Sequence, residues 1–181
     1  AHKWADLSEG GYGVSLLNDC KYGYDIKDSV MRLSLLRAPT CPDRTADRGL
    51  HRFTYSLYPH KGGWQDASTV QKAFELNVPF QAFSLKKQAG SLPGEMAMVQ
   101  TDCPNIIIQA VKQALDGQGM ILRFYEAEQR RGTVTVKTAL PFERVFECNL
   151  MEEVEREMPS GGGAFAFDYR PFEVRTFRLV P

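Results

Sequence analysis

Short runs of alternating apolar and polar residues, separated by Gly, Pro, Asn and Asp, fill most of this chain. The pattern is that of antiparallel strands in sandwiches or barrels, not of alternating strands and helices. In the first half it predicts strands over 12–17, 30–37 and 52–58. The last is the clearest, with Phe53, Tyr55 and Leu57 on one face and Arg52, Thr54 and Ser56 on the other. Leu33, Leu35 and Leu36 make 30–37 too apolar for one wet face, so that strand is expected to be buried on both sides. One helix is expected from an N-cap at Asp66, with Val70, Ala73 and Phe74 forming its apolar stripe and Asn77 and Pro79 ending it. A further strand is expected over 80–85.

Residues 86–94 (KKQAGSLPG) are polar and rich in Gly and Pro, and they predict a linker. It divides the chain into 1–87 and 95–181 across 88–94. The second part is again β-rich. Residues 106–115 and 120–125 read as a hairpin around Asp116-Gly117, followed by 133–138 with Val134 and Val136 inward, 145–150, 164–167 and 172–179, with 160–163 as a flexible loop. In the last strand Phe172, Val174 and Thr176 are expected to share the buried face, leaving Glu173 and Arg175 to solvent or to an ion pair.

Composition and charge narrow the class. In 181 residues, 22 Lys+Arg balance 22 Asp+Glu, so no basic surplus marks a nucleic-acid surface. No apolar run approaches the roughly 18 residues of a spanning helix. The four cysteines form no paired spacing and read as reduced thiols, which with the absence of a secretory leader predicts a cytoplasmic protein. The dense start at Ala1 reads as a piece of something longer.

No familiar catalytic motif is present. His2, His51 and His60 lie far apart without ligand spacing, no Gly-x-Ser-x-Gly elbow occurs, and no glycine-rich loop opens a helix. Two segments carry more chemistry than structure alone requires. Residues 18–25 (NDCKYGYD) offer Lys21, Tyr22, Tyr24 and Asp25, parts suited to sugars because carboxylates pair with hydroxyls while aromatic faces cover C–H faces. Residues 38–51 form a long loop carrying Asp43, Asp47 and His51.

Several stretches in order, namely WADLSE from Trp4, GVSLLNDCKYGYD from Gly13, RLSLLRAP from Arg32, DRGLHRFTYSLYPH from Asp47 and FEVRTF from Phe172, resemble the C-terminal β region of glycoside hydrolase family 38 α-mannosidases, in particular the cytosolic and bacterial branch. The resemblance implies an all-β fold: the end of a large mutarotase-like sandwich, then a small C-terminal sandwich, with one short helix. It also implies an enzyme whose zinc ligands and aspartate nucleophile lie in an upstream barrel, so no catalytic or metal residue is assigned in this chain. The expected partners are the upstream catalytic and helical domains and an α-mannoside or oligosaccharide substrate, with Lys21, Tyr22, Tyr24, Asp25, Asp43, Asp47 and His51 as candidates for the pocket rim. Neither nucleic acid nor membrane is an expected partner. An alternative is a free carbohydrate-binding module using Tyr22, Tyr24 or Trp64, and a third reading, from the Phe- and Val-rich last strand, is a homo-oligomer.

Overall fold

The computed structural model describes residues 1–86, 89–91 and 93–181; Lys87, Gln88 and Leu92 of the expected linker lie outside the described residues. The chain divides into two compact units, 1–86 and 87–181. Every strand pairing in both is antiparallel.

The first unit contains β1 (Trp4–Glu9), β2 (Tyr12–Asn18), β3 (Tyr24–Lys27), β4 (Val30–Leu33), β5 (Tyr55–Lys61) and α1 (Thr69–Asn77). Strands β1, β2 and β5 form a sheet in the order β1-β2-β5, and β3 and β4 form a separate hairpin. Register pairs Asp6 with Ser15, Ser15 with Tyr58, and Gly13 with His60. Because side chains alternate across a strand, Asp6, Ser8, Gly13, Ser15, Tyr58 and His60 share one face, while Leu7, Tyr12, Val14 and Leu57 share the other. The helix covers the polar face, burying Thr69, Val70 and Ala73.

Several expectations change here. Of 30–37 only Val30–Leu33 is a strand, and it is not buried on both sides: among the described residues the hairpin pairs with no third strand, and Val30 and Leu36 are exposed. The strand expected over 52–58 begins at Tyr55, and its inward residues are Ser56, Tyr58 and His60, with Leu57 outward. Tyr24 and Asp25, the end of the candidate segment 18–25, open β3. No strand forms over 80–85, where Phe80, Phe83 and Leu85 are exposed; the alternation is there, but no sheet edge pairs with it. The helix starts after Ser68, whose φ is 54° and whose side chain makes no cap. Asp66 instead accepts the Gly63 N–H at 3.1 Å and closes the preceding turn.

The second unit holds β6 (Val99–Thr101), β7 (Ile106–Gln113), β8 (Met120–Glu126), β9 (Gly132–Thr138), β10 (Arg144–Cys148), β11 (Val154–Met158), β12 (Ser160–Gly161), β13 (Ala164–Tyr169) and β14 (Val174–Val180). A five-stranded sheet, β11-β10-β14-β8-β7, faces a four-stranded one, β12-β13-β9-β6. Leu122, Phe124, Phe177 and Leu179 of the first meet Val134, Val136, Phe165 and Phe167 of the second in one core. Four phenylalanines form its centre, with the Phe167 and Phe177 rings 4.5 Å apart. Part of 160–163, expected as a plain loop, pairs with β13 as β12.

Strand β14 is central to its sheet, as expected, yet the buried face is the other one. Phe177 and Leu179 point into the core, whereas Phe172 lies before the strand, 60% exposed with φ 57°, and Val174 is 43% exposed. Arg175 shares the core-facing side, where its guanidinium pairs with Glu147 at 2.6 Å over the Phe167 and Phe177 rings. Thr176 is buried on the opposite side, accepting from Arg123 Nε at 3.0 Å.

One buried carboxylate ties the loops at one end of this sandwich. Glu126, at the end of β8, accepts from Asn105 Nδ2 at 2.9 Å, Glu128 N–H at 2.9 Å and Phe172 N–H at 3.0 Å. Burial pushes its pKa up, but these hydrogen bonds outweigh burial and hold it below the ordinary glutamate value. A depressed carboxylate contributes stability that is complete above its unfolded pKa and lost as pH falls through its folded pKa. In denaturant unfolding of the chain between pH 7 and pH 3, the second unit should therefore lose stability below about pH 4.3, and Glu126→Gln should remove that component while costing about 1–3 kcal/mol at neutral pH. Phe177→Ala should cost about 3–5 kcal/mol, and Phe172→Ala less than about 1 kcal/mol; equal losses would contradict the assignment of the buried face.

Candidate functional site

The first candidate segment is tied to residues 53–54, just beyond the end of the second. Asp19 accepts the Thr54 N–H at 3.0 Å and donates its own N–H to the Thr54 carbonyl at 3.2 Å, while Lys21 Nζ lies 4.9 Å from the centre of the Phe53 ring. The Asn18 side chain organises the turn, with Oδ1 accepting the Lys21 N–H at 2.6 Å and Nδ2 bonding the Tyr24 hydroxyl. That hydroxyl donates to the Leu16 carbonyl at 3.0 Å, and burial raises its pKa, so Tyr24 stays a neutral phenol fixed on β2. Asp25 faces Arg32 across the β3–β4 pair and is bonded to it. Tyr22 is the free aromatic of the segment, 55% exposed and tilted against the His2 ring.

The long loop is closed on itself. Asp43 accepts from the Thr45 N–H at 2.8 Å and the Thr45 hydroxyl at 2.7 Å, and these bonds hold its carboxyl below the usual range. Asp47, with φ 60°, accepts the Ala38 N–H at 2.8 Å, and its carbonyl lies 2.7 Å from His51 Nε2. Thus Asp47 and His51 are brought together, while Asp43 is engaged locally. Much of the polar payload of 38–51 is committed to shaping the loop.

Of the aromatics in the binding-module reading, Tyr24 has its hydroxyl engaged and Trp64 packs on Trp4 at 5.1 Å. Tyr22 alone presents an open ring.

A denser cluster lies under α1, and no motif announces it. Asp6 Oδ2 is 2.8 Å from His60 Nε2 and accepts from Ser15 Oγ at 2.9 Å. Ser15 Oγ is 2.8 Å from Thr69 Oγ1, and Ser8 bonds the other carboxylate oxygen. The residue types are those of a Ser-His-Asp triad, but the wiring is not. A triad places Ser and Asp on opposite ring nitrogens, whereas here both lie at Nε2, and among the described residues Nδ1 has no hydrogen-bond partner. Ser15 and Thr69 are inaccessible to solvent, so no substrate reaches them. Gly13 leaves the room that His60 occupies: a Cβ there would lie 2.3 Å from His60 Cε1. The available signal is the alternation of polar residues on β1 (Asp6, Ser8) and β5 (Ser56, Tyr58, His60) with the single Ser15 between them on β2, which resembles a solvated face until the helix is placed.

Residues 105–177 match the glycosyl hydrolases family 38 C-terminal beta sandwich domain, and residues 1–45 match the family 38 C-terminal domain. The chain carries the C-terminal β region of glycosyl hydrolase family 38. Among its relatives are alpha-mannosidase G of Dictyostelium discoideum, 40% identical over 99% of this chain and 17% of that protein, and alpha-mannosidase 2C1 of Homo sapiens, 39% identical over 99% and 18%. The Saccharomyces cerevisiae alpha-mannosidase is 32% identical over 98% of this chain and 18% of its own length. The family 38 chain thus spans less than a fifth of these curated relatives. Two solved structures from Enterococcus faecalis share its fold, a family 38 protein and an alpha-mannosidase, with TM-scores of 0.77 and 0.75 at 20% identity, covering 98% of this chain and 22% and 21% of theirs.

Lys21, Tyr22, Tyr24, Asp25 and Asp43 fall inside the first matched segment; Asp47, His51 and His60 lie beyond it. Among the described residues no three His, Cys, Asp or Glu side chains converge as a metal site. The residues present do not fit a zinc ion.

Breaking the buried cluster should unfold the first unit more easily. Asp6→Ala removes the buried carboxylate that accepts from Ser15 and faces His60 and should cost about 1–3 kcal/mol in urea unfolding, and Gly13→Ala should also destabilise by driving a methyl into the His60 ring. A Gly13→Ala chain as stable as the parent would show that His60 has another place to go.

Proposed function

We propose that this chain is the non-catalytic C-terminal β portion of an α-mannosidase that hydrolyses α-mannosides with retention of configuration. The observation that carries the reading is the match of 99% of the chain to alpha-mannosidases that are more than five times its length. In that enzyme the attacking carboxylate, the acid-base carboxyl and the zinc belong to upstream residues. The two units then serve as a scaffold for the catalytic and helical domains. A cytoplasmic setting agrees with the free, exposed thiols of Cys20 and Cys41.

In this reading the rim role falls to the segment of Lys21, Tyr22, Tyr24 and Asp25 and to the loop of Asp43, Asp47 and His51. The Tyr22 ring is the group free to cover a sugar face, while Tyr24 and Asp25 fix the segment that carries it and Asp43, Asp47 and His51 shape their own loop.

The chain alone should release no nitrophenol from a nitrophenyl α-mannoside, with or without zinc, while the enzyme containing it should do so. In that enzyme Tyr22→Ala should raise KM for the α-mannoside with the melting temperature unchanged. Turnover by the chain alone, or failure of the enzyme to cleave any α-mannoside, would overturn the proposal; an unchanged KM would remove the rim role only.

A further inference from the structure

Strand β12 pairs with β13 only at Ala164 and Phe165, so beyond Phe165 the outer edge of β13 carries no strand among the described residues. A cleft of about 420 Å³ lies beside that edge, lined by Arg156 and Met158 of β11, Ala166 and Asp168 of β13, and Arg170 and Arg175. Arg175 reaches the edge backbone, with Nη1 donating to the Asp168 carbonyl at 3.2 Å.

Most of the charge around this cleft is spent on internal pairs. Glu147 holds Arg156 at 2.7 Å and Arg175 at 2.6 Å, and Glu173 accepts the Arg170 N–H at 2.9 Å. Two groups keep free capacity. Asp168 accepts the Thr133 hydroxyl through Oδ1 at 2.6 Å, and its Oδ2 has no hydrogen-bond or ion-pair partner among the described residues. The Arg170 guanidinium also has none among them, so the two side chains line one cavity without pairing with each other. Arg156, Arg170 and Arg175 are balanced by Glu147, Asp168 and Glu173, and the cleft has no net charge to hold a free anion or cation. A carboxylate oxygen that only accepts and a guanidinium that only donates together match hydroxyl groups, which do both. Met158 and Ala166 add the carbon surface that a C–H face needs.

We propose that this cleft binds a neutral saccharide, whose hydroxyls donate to Asp168 Oδ2 and accept from the Arg170 guanidinium. Its volume falls within the range of small-ligand sites. The site lies wholly in the second unit and requires neither the mannosidase reading nor the rim role of Tyr22.

The test titrates the 181-residue chain, labelled with ¹⁵N, with mannobiose, maltose and lactose in turn. At least one disaccharide should bind with a Kd of about 1 mM or tighter, and the amides that shift should be those of 166–170 and 173. Asp168→Ala and Arg170→Ala should each weaken that binding at least about tenfold, the loss of one hydrogen bond to a charged group, with the melting temperature unchanged because both side chains are exposed. Binding of none of the three sugars would overturn the proposal. So would binding that survives both substitutions and shifts 18–25, which would place the sugar at Tyr22. Displacement of the sugar by sulfate from the same amides would also overturn it, by making the cleft an anion site.

Discussion

Buried polar atoms must find partners, and in the first unit that requirement decides which face of the sheet the helix covers. Asp6, Ser15 and His60 come from three different strands, and antiparallel register places them side by side. A carboxylate accepting from a serine and facing an imidazole is stable away from water only if something closes over it. Thr69 at the start of α1 supplies both the lid and one more hydrogen bond. Once the helix is committed there, the aliphatic side of β1, β2 and β5 receives only the small β3–β4 hairpin.

The second unit solves the same problem in the opposite way. Its two sheets bury aromatic and aliphatic faces against each other, so the interior contains few polar groups and these sit at the margins. Arg175 enters the core region with its charge paired to Glu147 and its plane over phenylalanine rings. Glu126 carries its charge where three loops converge and takes hydrogen bonds from each of them. Both groups lie where a loop or strand end can reach them.

This contrast explains how far the sequence could be read. In the second unit the strands that build the core show one buried apolar face, so Val134 and Val136, or Leu122 and Phe124, announce both strand and orientation, whereas β6, β11 and β12 are short or polar and carry no such signal. The error at Phe172 arises because an aromatic ring that sits at a turn extends the alternation by one step and shifts it to the wrong face. In the first unit the periodicity of β5 is correct, but its inward face is Ser56, Tyr58 and His60, and hydrophobicity points the wrong way. The apolar runs at 30–37 and 80–85 record surface that ought to be buried, without recording against what. The polar cluster gave no motif because its members are 54 positions apart at the extremes of β1 and β5 and meet only through register.

Most carboxylates of 18–25 and 38–51 that could read a sugar in the proposed rim role are already engaged within the chain. A carboxylate recognises hydroxyls with its free lone pairs, and Asp43 and Asp47 have already turned oxygens to the backbone of Thr45 and Ala38. Asp25 is held by Arg32, and the Tyr24 hydroxyl by Leu16 and Asn18. Charge at these positions is therefore converted into loop shape, and shape is what remains available for a neighbour to use. A rim built in this way would select by contour and by one exposed ring, with the polar reading of the sugar left to residues elsewhere. The density of polar residues that draws attention to 18–25 and 38–51 is then the cost of holding two irregular segments rigid without a hydrophobic core beneath them.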